Sequence, residues 1–327
     1  MGSVCQYFND RKSVNFVTAI SGLILLLYAT FKNPYAVADG QNYIDALEGS
    51  KIILEPTFNI LADIINTYLD SNVTWLFFFY SFIAITCKLR SITLLSKLPI
   101  FCLIIWLTDF YPLHELGQIR AAAATGVFLL SLKSLYQRKT RTYIIYTVFA
   151  TLLHFSAILM LALILLNVKK INIRIWYFAV FISILWAALG IDIISVMKYI
   201  PGIGEDKYEA YESVQKSLNS ASVFSPIVIG KFIITIVLLL RVNLLHKHNR
   251  YAILLLKIIL ISTIARFVFA SNVSIAFRIS EFFGTVEIIL FPMLIYLFRQ
   301  KQIGYFFIII LSFIFVLIRI FSNKLII

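Results

Sequence analysis

Apolar residues fill most of this chain in runs of 16 to 25, broken by short polar stretches. Runs of that length suit helices crossing a hydrocarbon core of about 30 Å. They predict membrane spans at about 14–31, 73–90, 94–110, 118–136, 143–166, 173–197, 226–241, 251–270, 274–298 and 304–321. No linker, low-complexity tract or internal repeat interrupts them. The expectation is an all-α polytopic membrane bundle of about ten segments, forming one domain over 1–327. External loops are expected at about 32–72 and 198–225.

Composition agrees with that pattern. Of 327 residues, 61% are hydrophobic, 15% aromatic and 14% charged, with a mean hydropathy of +0.91. Soluble domains carry roughly half apolar and about a quarter charged residues. The net charge of +13 would suggest nucleic acid in a soluble protein. Here the basic residues lie between apolar runs, where they orient helices and meet anionic lipid, so no nucleic-acid partner is expected. Cys5, Cys87 and Cys102 have no metal spacing and form no disulfide framework. Arg11 and Lys12 precede an apolar run without a small-residue cleavage site, which reads as a retained signal anchor.

The positive-inside rule orients the helices. Arg11 and Lys12 place the start of the chain in the cytoplasm. The loop 32–72 carries six acids (Asp39, Asp45, Glu48, Glu55, Asp63, Asp70) against Lys32 and Lys51, and suits the outside. Lys88, Arg90 and Lys97 mark one cytoplasmic turn, and Lys133, Arg138, Lys139 and Arg141 another. "DFYPLHELGQ" between them then faces outward, with Arg120 at the external mouth of its helix. Lys169, Lys170 and Arg174 also look cytoplasmic, although only one run separates them from Arg141. That holds if 143–166 re-enters the bilayer instead of crossing it, or if its neighbour is irregular. Either arrangement keeps three basic loops inside and is preferred over strict alternation of the ten spans, which would put 198–225 inside and two basic loops outside.

Polar groups within apolar runs carry the chemistry, since an arginine or aspartate at helix centre costs about 2.5–3.5 kcal/mol on insertion scales. They are Arg120, His154, Asp192, Lys231, Lys257, Arg266, Arg278, Glu281 and Glu287. Arg120 either snorkels to water or holds an anion, for which a guanidinium is suited. Ala121 to Ala124 beside it allow close helix approach or leave room for a ligand. Arg266 and Arg278 flank the turn "ASNVS", so a helical hairpin would present both at one membrane face. Arg278 could instead pair with Glu281, three residues on. His154 shares a helical face with Ala150 and Ala157; it is either a packing residue or a proton acceptor. Tyr43, Tyr208 and Tyr211 lie among acids and amides, as interfacial tyrosines do and as sugar-stacking ones would. Walker, Rossmann, zinc and Ser-His-Asp patterns are missing. An activated substrate would therefore carry its own leaving group.

"QIRAAAATGVFLLSLKSLYQRKTRTYIIYTVFATLLHFSAILML" resembles the central signature of EpsG-like, Wzy-type bacterial polysaccharide polymerases. Arg120, Ala124, Ala150, His154, Ser156 and Ala157 occupy its characteristic positions. "ADGQNYIDAL", "EPTFNILADII" and "FRISEFFGTVEIILFP" are similar to further pieces of the pattern, the last aligning Arg278. The resemblance runs from about 35 to 295. Two departures stand out: Asp39-Gly40 where Gly-x-Asp is commoner, and alanine after Arg120 where a polar residue is frequent.

The resemblance implies a glycosyltransferase-C-like bundle in the bacterial inner membrane, working on undecaprenyl-pyrophosphate-linked oligosaccharides. It would transfer a growing glycan from its carrier onto the terminal sugar of a lipid-linked repeat unit. Arg120, Arg266 and Arg278 would bind the pyrophosphate. His154 is the first candidate base, with Glu115 and Glu281 next, and Tyr43, Tyr208 and Tyr211 would hold glycan. No metal or other cofactor is expected. A chain-length regulator and a flippase are the partners such an enzyme would work beside. The rival readings are a lipid-linked oligosaccharide flippase or exporter, and a membrane acyltransferase that modifies the polysaccharide.

Overall fold

The structure, a computed structural model, describes residues 11–37, 39–49, 55–192 and 225–321. Every regular element among the described residues is helical. The chain divides into two compact units, one of Met1–Leu166 with Ile288–Ile327, the other Asn167–Glu287. Tyr208, Tyr211 and nearly all of the loop expected at 198–225 lie outside the described residues.

The first unit begins with α1 (Arg11–Thr30), then two loop helices, α2 (Gly40–Leu47) and α3 (Pro56–Tyr68), then α4 (Val73–Leu95). It continues through α5 (Pro99–Ile105), α6 (Ile119–Tyr136) and α7 (Thr140–Leu153), and ends with the C-terminal helix Lys301–Phe321. Two described helices, Val73–Leu95 and Lys301–Ile318, are long and apolar enough to cross a membrane unbroken, or up to four if each bent pair counts as one span. Several other apolar runs are broken. The run at 94–110 passes from α5 into wide π turns at Trp106–Phe110 and Pro112–Gly117, around a proline that has no N–H to donate.

The run at 143–166 is broken most sharply. α7 ends at Leu153, His154 is extended (φ −158, ψ 121), and a 3-10 segment follows over Phe155–Leu165. Tyr143 Oη donates to Met160 O at 2.9 Å, and Arg138 Nη1 and Nη2 donate to Ile164 O and Leu166 O at 3.0 and 2.5 Å. The second limb therefore lies back along the first. Fourteen residues rising 1.5 Å each make about 21 Å, and eleven 3-10 residues at 2.0 Å make about 22 Å, so the limbs match. Such a hairpin has the form that a re-entrant segment requires. It also corrects the helical face drawn through Ala150, His154 and Ala157: the backbone reverses at His154, so one period cannot run through all three.

α6 packs on α4 through small side chains. Ala122, Ala123 and Ala124 are fully buried, and a Cβ on Gly126 would come within 2.9 Å of Ala84 O. The alanines beside Arg120 are thus taken up by helix contact.

Lys88 belongs to this interior rather than to the cytoplasmic turn expected from its charge. It is fully buried within α4 and ion-paired with Glu115, which is equally buried. Trp106 Nε1 donates to the other oxygen of Glu115 at 3.3 Å. Lys32, in the loop after α1, donates to Glu115 O and Leu116 O, both at 2.8 Å, and lies 4.4 Å from the centre of the Phe77 ring. Burial pulls the Lys32 ammonium down to about 7, against the opposing pull of Glu115 and Asp39.

In the second unit, α8 (Ile173–Ala188) packs on α11 (Ala252–Val268), which pairs with α12 (Val273–Gly284). α9 (Pro226–Leu240) turns by 78° into α10 (Val242–His248). Ser262 Oγ donates to Ser280 O at 2.6 Å across the α11–α12 hairpin, and the Asn272 side chain caps α12 by accepting from Ile275 N.

Removing one partner of a buried ion pair leaves an uncompensated charge, at a cost of about 3–5 kcal/mol. Lys88→Met and Glu115→Leu should each destabilise the detergent-solubilised protein by that order. The double variant Lys88→Met/Glu115→Leu should recover most of the loss. Losses that simply add in the double variant would show that the pair contributes nothing.

Candidate functional site

Three chain-distant segments of the first unit meet at the carboxylate of Glu55. The residue before a proline is driven to extended backbone, and Glu55 has φ −61, ψ 149 ahead of Pro56. Pro56 fits the first turn of α3, where its missing N–H is not needed. Phe58, Ala62 and Ile65 then recur on one buried face. The Glu55 side chain does not cap its own helix; it reaches across to α6 and α7.

Arg120, second residue of α6, donates from Nη1 to Glu55 Oε2. His154 Nδ1 lies 2.8 Å from Glu55 Oε1, and Phe155 N donates to the same oxygen at 3.3 Å. Thr57 Oγ1 ties α3 to the end of α7 by donating to Leu152 O at 2.6 Å, satisfying one of the carbonyls a helix end leaves over. It also lies 3.4 Å from the Tyr80 hydroxyl. The guanidinium stands 5.8 Å from the ring centre of Tyr43 and 5.9 Å from that of Phe58, whose rings stack at 6.1 Å.

Glu55 is buried, while Arg120 and His154 are each 21% exposed, so the two basic groups form the open side. Burial alone would raise the Glu55 carboxyl. The His154 hydrogen bond and the Arg120 charge outweigh it and hold the group at about 2. Arg120 Nε is buried with no hydrogen-bond partner among the described residues. His154 Nε2 likewise makes no hydrogen bond there.

The expected site residues thus fall into separate places. Arg120 and His154 come together, joined by Glu55, which sequence reasoning recorded only as one of six loop acids. Its signal was present in the Glu-Pro start of "EPTFNILADII", but nothing in one sequence links that start to residues 65 and 99 positions away. Tyr43 is beside Arg120 yet only 2% exposed, a packing neighbour of the guanidinium. Glu115 is committed to Lys88.

Arg266, Arg278 and Glu281 belong to the second unit. The Arg266 guanidinium stands 4.0 Å from the Phe277 ring centre, its Nη1 buried without a hydrogen-bond partner among the described residues. Glu281 and Glu287 both act on its charge. Arg278 is exposed. Lys231 and Glu287 form an ion pair at 2.8 Å, and Ser271 Oγ donates to Asp192 at 2.9 Å.

Apolar helices interrupted at charged, hydrogen-bonded breaks define a multi-pass membrane protein, helical in every regular element of its described residues. The chain belongs to the EpsG family, whose family model matches residues 15–326. The resemblance seen in the motifs therefore holds over nearly the whole chain, and the family is implicated in exopolysaccharide synthesis. No curated protein and no solved structure matches it.

Glu55 has a folded value near 2 against 4.5 for the free group. The lowered value means that its stabilising contribution is complete above about pH 4.5 and is lost as pH falls toward 2. Thermal unfolding followed from pH 5 to pH 3 should therefore show a steeper loss in the wild type than in Glu55→Gln. Parallel curves would deny the carboxylate this role.

Proposed function

We propose that the protein is a polysaccharide polymerase. It transfers a growing glycan from undecaprenyl diphosphate onto the terminal sugar of a lipid-linked repeat unit, at the external face of the bacterial inner membrane. One observation carries this reading: a single carboxylate holds together a guanidinium with unused N–H groups and an imidazole with an unused ring nitrogen. These are the two groups that glycosyl transfer from a diphosphate needs. The acid-rich loop that supplies Glu55 and the external mouth assigned to Arg120 agree on the side of the membrane.

As the glycosidic bond breaks, its electron pair leaves on a diphosphate oxygen. Donors aimed at that developing charge lower the barrier. Arg120 keeps N–H groups for this after satisfying Glu55. His154 takes the proton of the attacking hydroxyl; Glu115, occupied by Lys88, stands behind it. The glycosyltransferase-C-like arrangement of about ten spans is part of the same proposal.

Purified protein given defined undecaprenyl-diphosphate repeat units should produce a ladder of longer glycans without nucleotide sugar. Arg120→Ala should abolish the ladder. Arg120→Lys can keep the pairing with Glu55 but loses the planar fork, and should slow chain growth about a hundredfold with membrane insertion unchanged. Full-length product from Arg120→Ala would overturn the reading. So would wild-type protein that only moves intact lipid-linked units across a liposome bilayer, the behaviour of a transporter.

A further inference from the structure

Glu55 has a role in this site that follows from donor and acceptor rules. An ionised carboxylate accepts hydrogen bonds and donates none. Glu55 accepts from Arg120 Nη1 on one oxygen and from Phe155 N on the other. A carboxylate so placed stays charged, so the His154 nitrogen 2.8 Å from Oε1 must bring the proton to that contact. We infer that Glu55 is the positioning residue for His154, holding the ring with its proton on Nδ1 and leaving Nε2 as the bare acceptor.

The inference rests on the reading of His154 as the base and extends it. The acceptor hydroxyl forms the new C–O bond to the sugar as the bond to diphosphate breaks. Its proton passes to Nε2, and the resulting imidazolium is stabilised by the carboxylate at Nδ1, which itself remains ionised. The titratable groups facing Glu55 are Arg120 from α6, His154 from the end of α7 and Tyr80 from α4, with Tyr43 and Asp39 acting on the site from α2 and its start. Arg120 is then more than a ligand contact, since its charge keeps Glu55 an acceptor.

Substituting Glu55 with glutamine tests this sharply. Arg120 can only donate and is charged, so the amide oxygen faces it, while the amide NH2 faces Nδ1 and gives up the longer 3.3 Å contact from Phe155 N. The histidine proton is then driven to Nε2, where it blocks the base.

The chain has four histidines, His114, His154, His246 and His248. Nitrogen-15 NMR of histidine-labelled full-length protein in lipid bilayers, with His154→Asn for assignment, reads the tautomer directly. At a pH where the ring is neutral, the wild type should show protonated Nδ1 and bare Nε2. Glu55→Gln should invert the pair, and Glu55→Asp should retain it. With undecaprenyl-diphosphate repeat units, Glu55→Gln should lower kcat by about 10²–10⁴ with KM little changed, and Glu55→Asp should recover part of the loss. A proton on Nε2 in the wild type overturns the inference, whether or not Glu55→Gln folds. An unchanged tautomer in Glu55→Gln overturns it too. Inverted tautomers with wild-type chain growth would leave the positioning role standing and remove His154 as the base.

Discussion

The described site depends on one buried carboxylate that is outnumbered by donors. Glu55 receives a guanidinium, an imidazole and a backbone N–H, from partners 65, 99 and 100 positions along the chain. A lone buried anion would be costly, but one enclosed by donors is the cheapest occupant of such a place. Each partner in turn depends on the carboxylate. Arg120 begins an apolar helix, where its charge opposes the positive end of the helix dipole. An anion bonded to it offsets both difficulties. The choice for Arg120, between reaching for water and holding an anion, thus has an internal answer: it holds Glu55.

Helix breaks create the place where this happens. An unbroken α-helix satisfies its own backbone groups and offers a ligand only side chains. At His154 the chain reverses, and the N–H of Phe155 and the carbonyl of Leu152 become available to Glu55 and Thr57. The start of the loop helix α3 supplies both partners, Glu55 just before Pro56 and Thr57 just after it, because Pro56 fixes where that helix begins. The hairpin and the loop therefore stabilise one another at the point where the basic side chains emerge.

Much of the helical pattern was legible in the sequence, because apolar run length reports burial in lipid directly. α4 and α6 lie close to the predicted spans, and Arg120 and His154 were marked by the expense of placing them among apolar residues. The fold-back at His154 was visible only indirectly, through basic residues on both sides of a run that ought to separate them. No glycine or proline marks the reversal; what fixes it is tertiary bonding by Glu55, Thr57 and Tyr143, which no local pattern records. Lys88 misled for a related reason. Charge near a helix end suggests a cytoplasmic turn until a partner 27 residues on is known to neutralise it.

That Lys88 pair bears on how the protein is made. α4 precedes the segment bearing Glu115 in the chain and reaches the bilayer first, and a solitary lysine inside an apolar helix costs about 2.5–3.5 kcal/mol at insertion. The helix gains its full preference for the membrane only when its acidic partner arrives. These two stretches therefore enter as a cooperative unit, and the order of translation becomes part of the information that builds the fold.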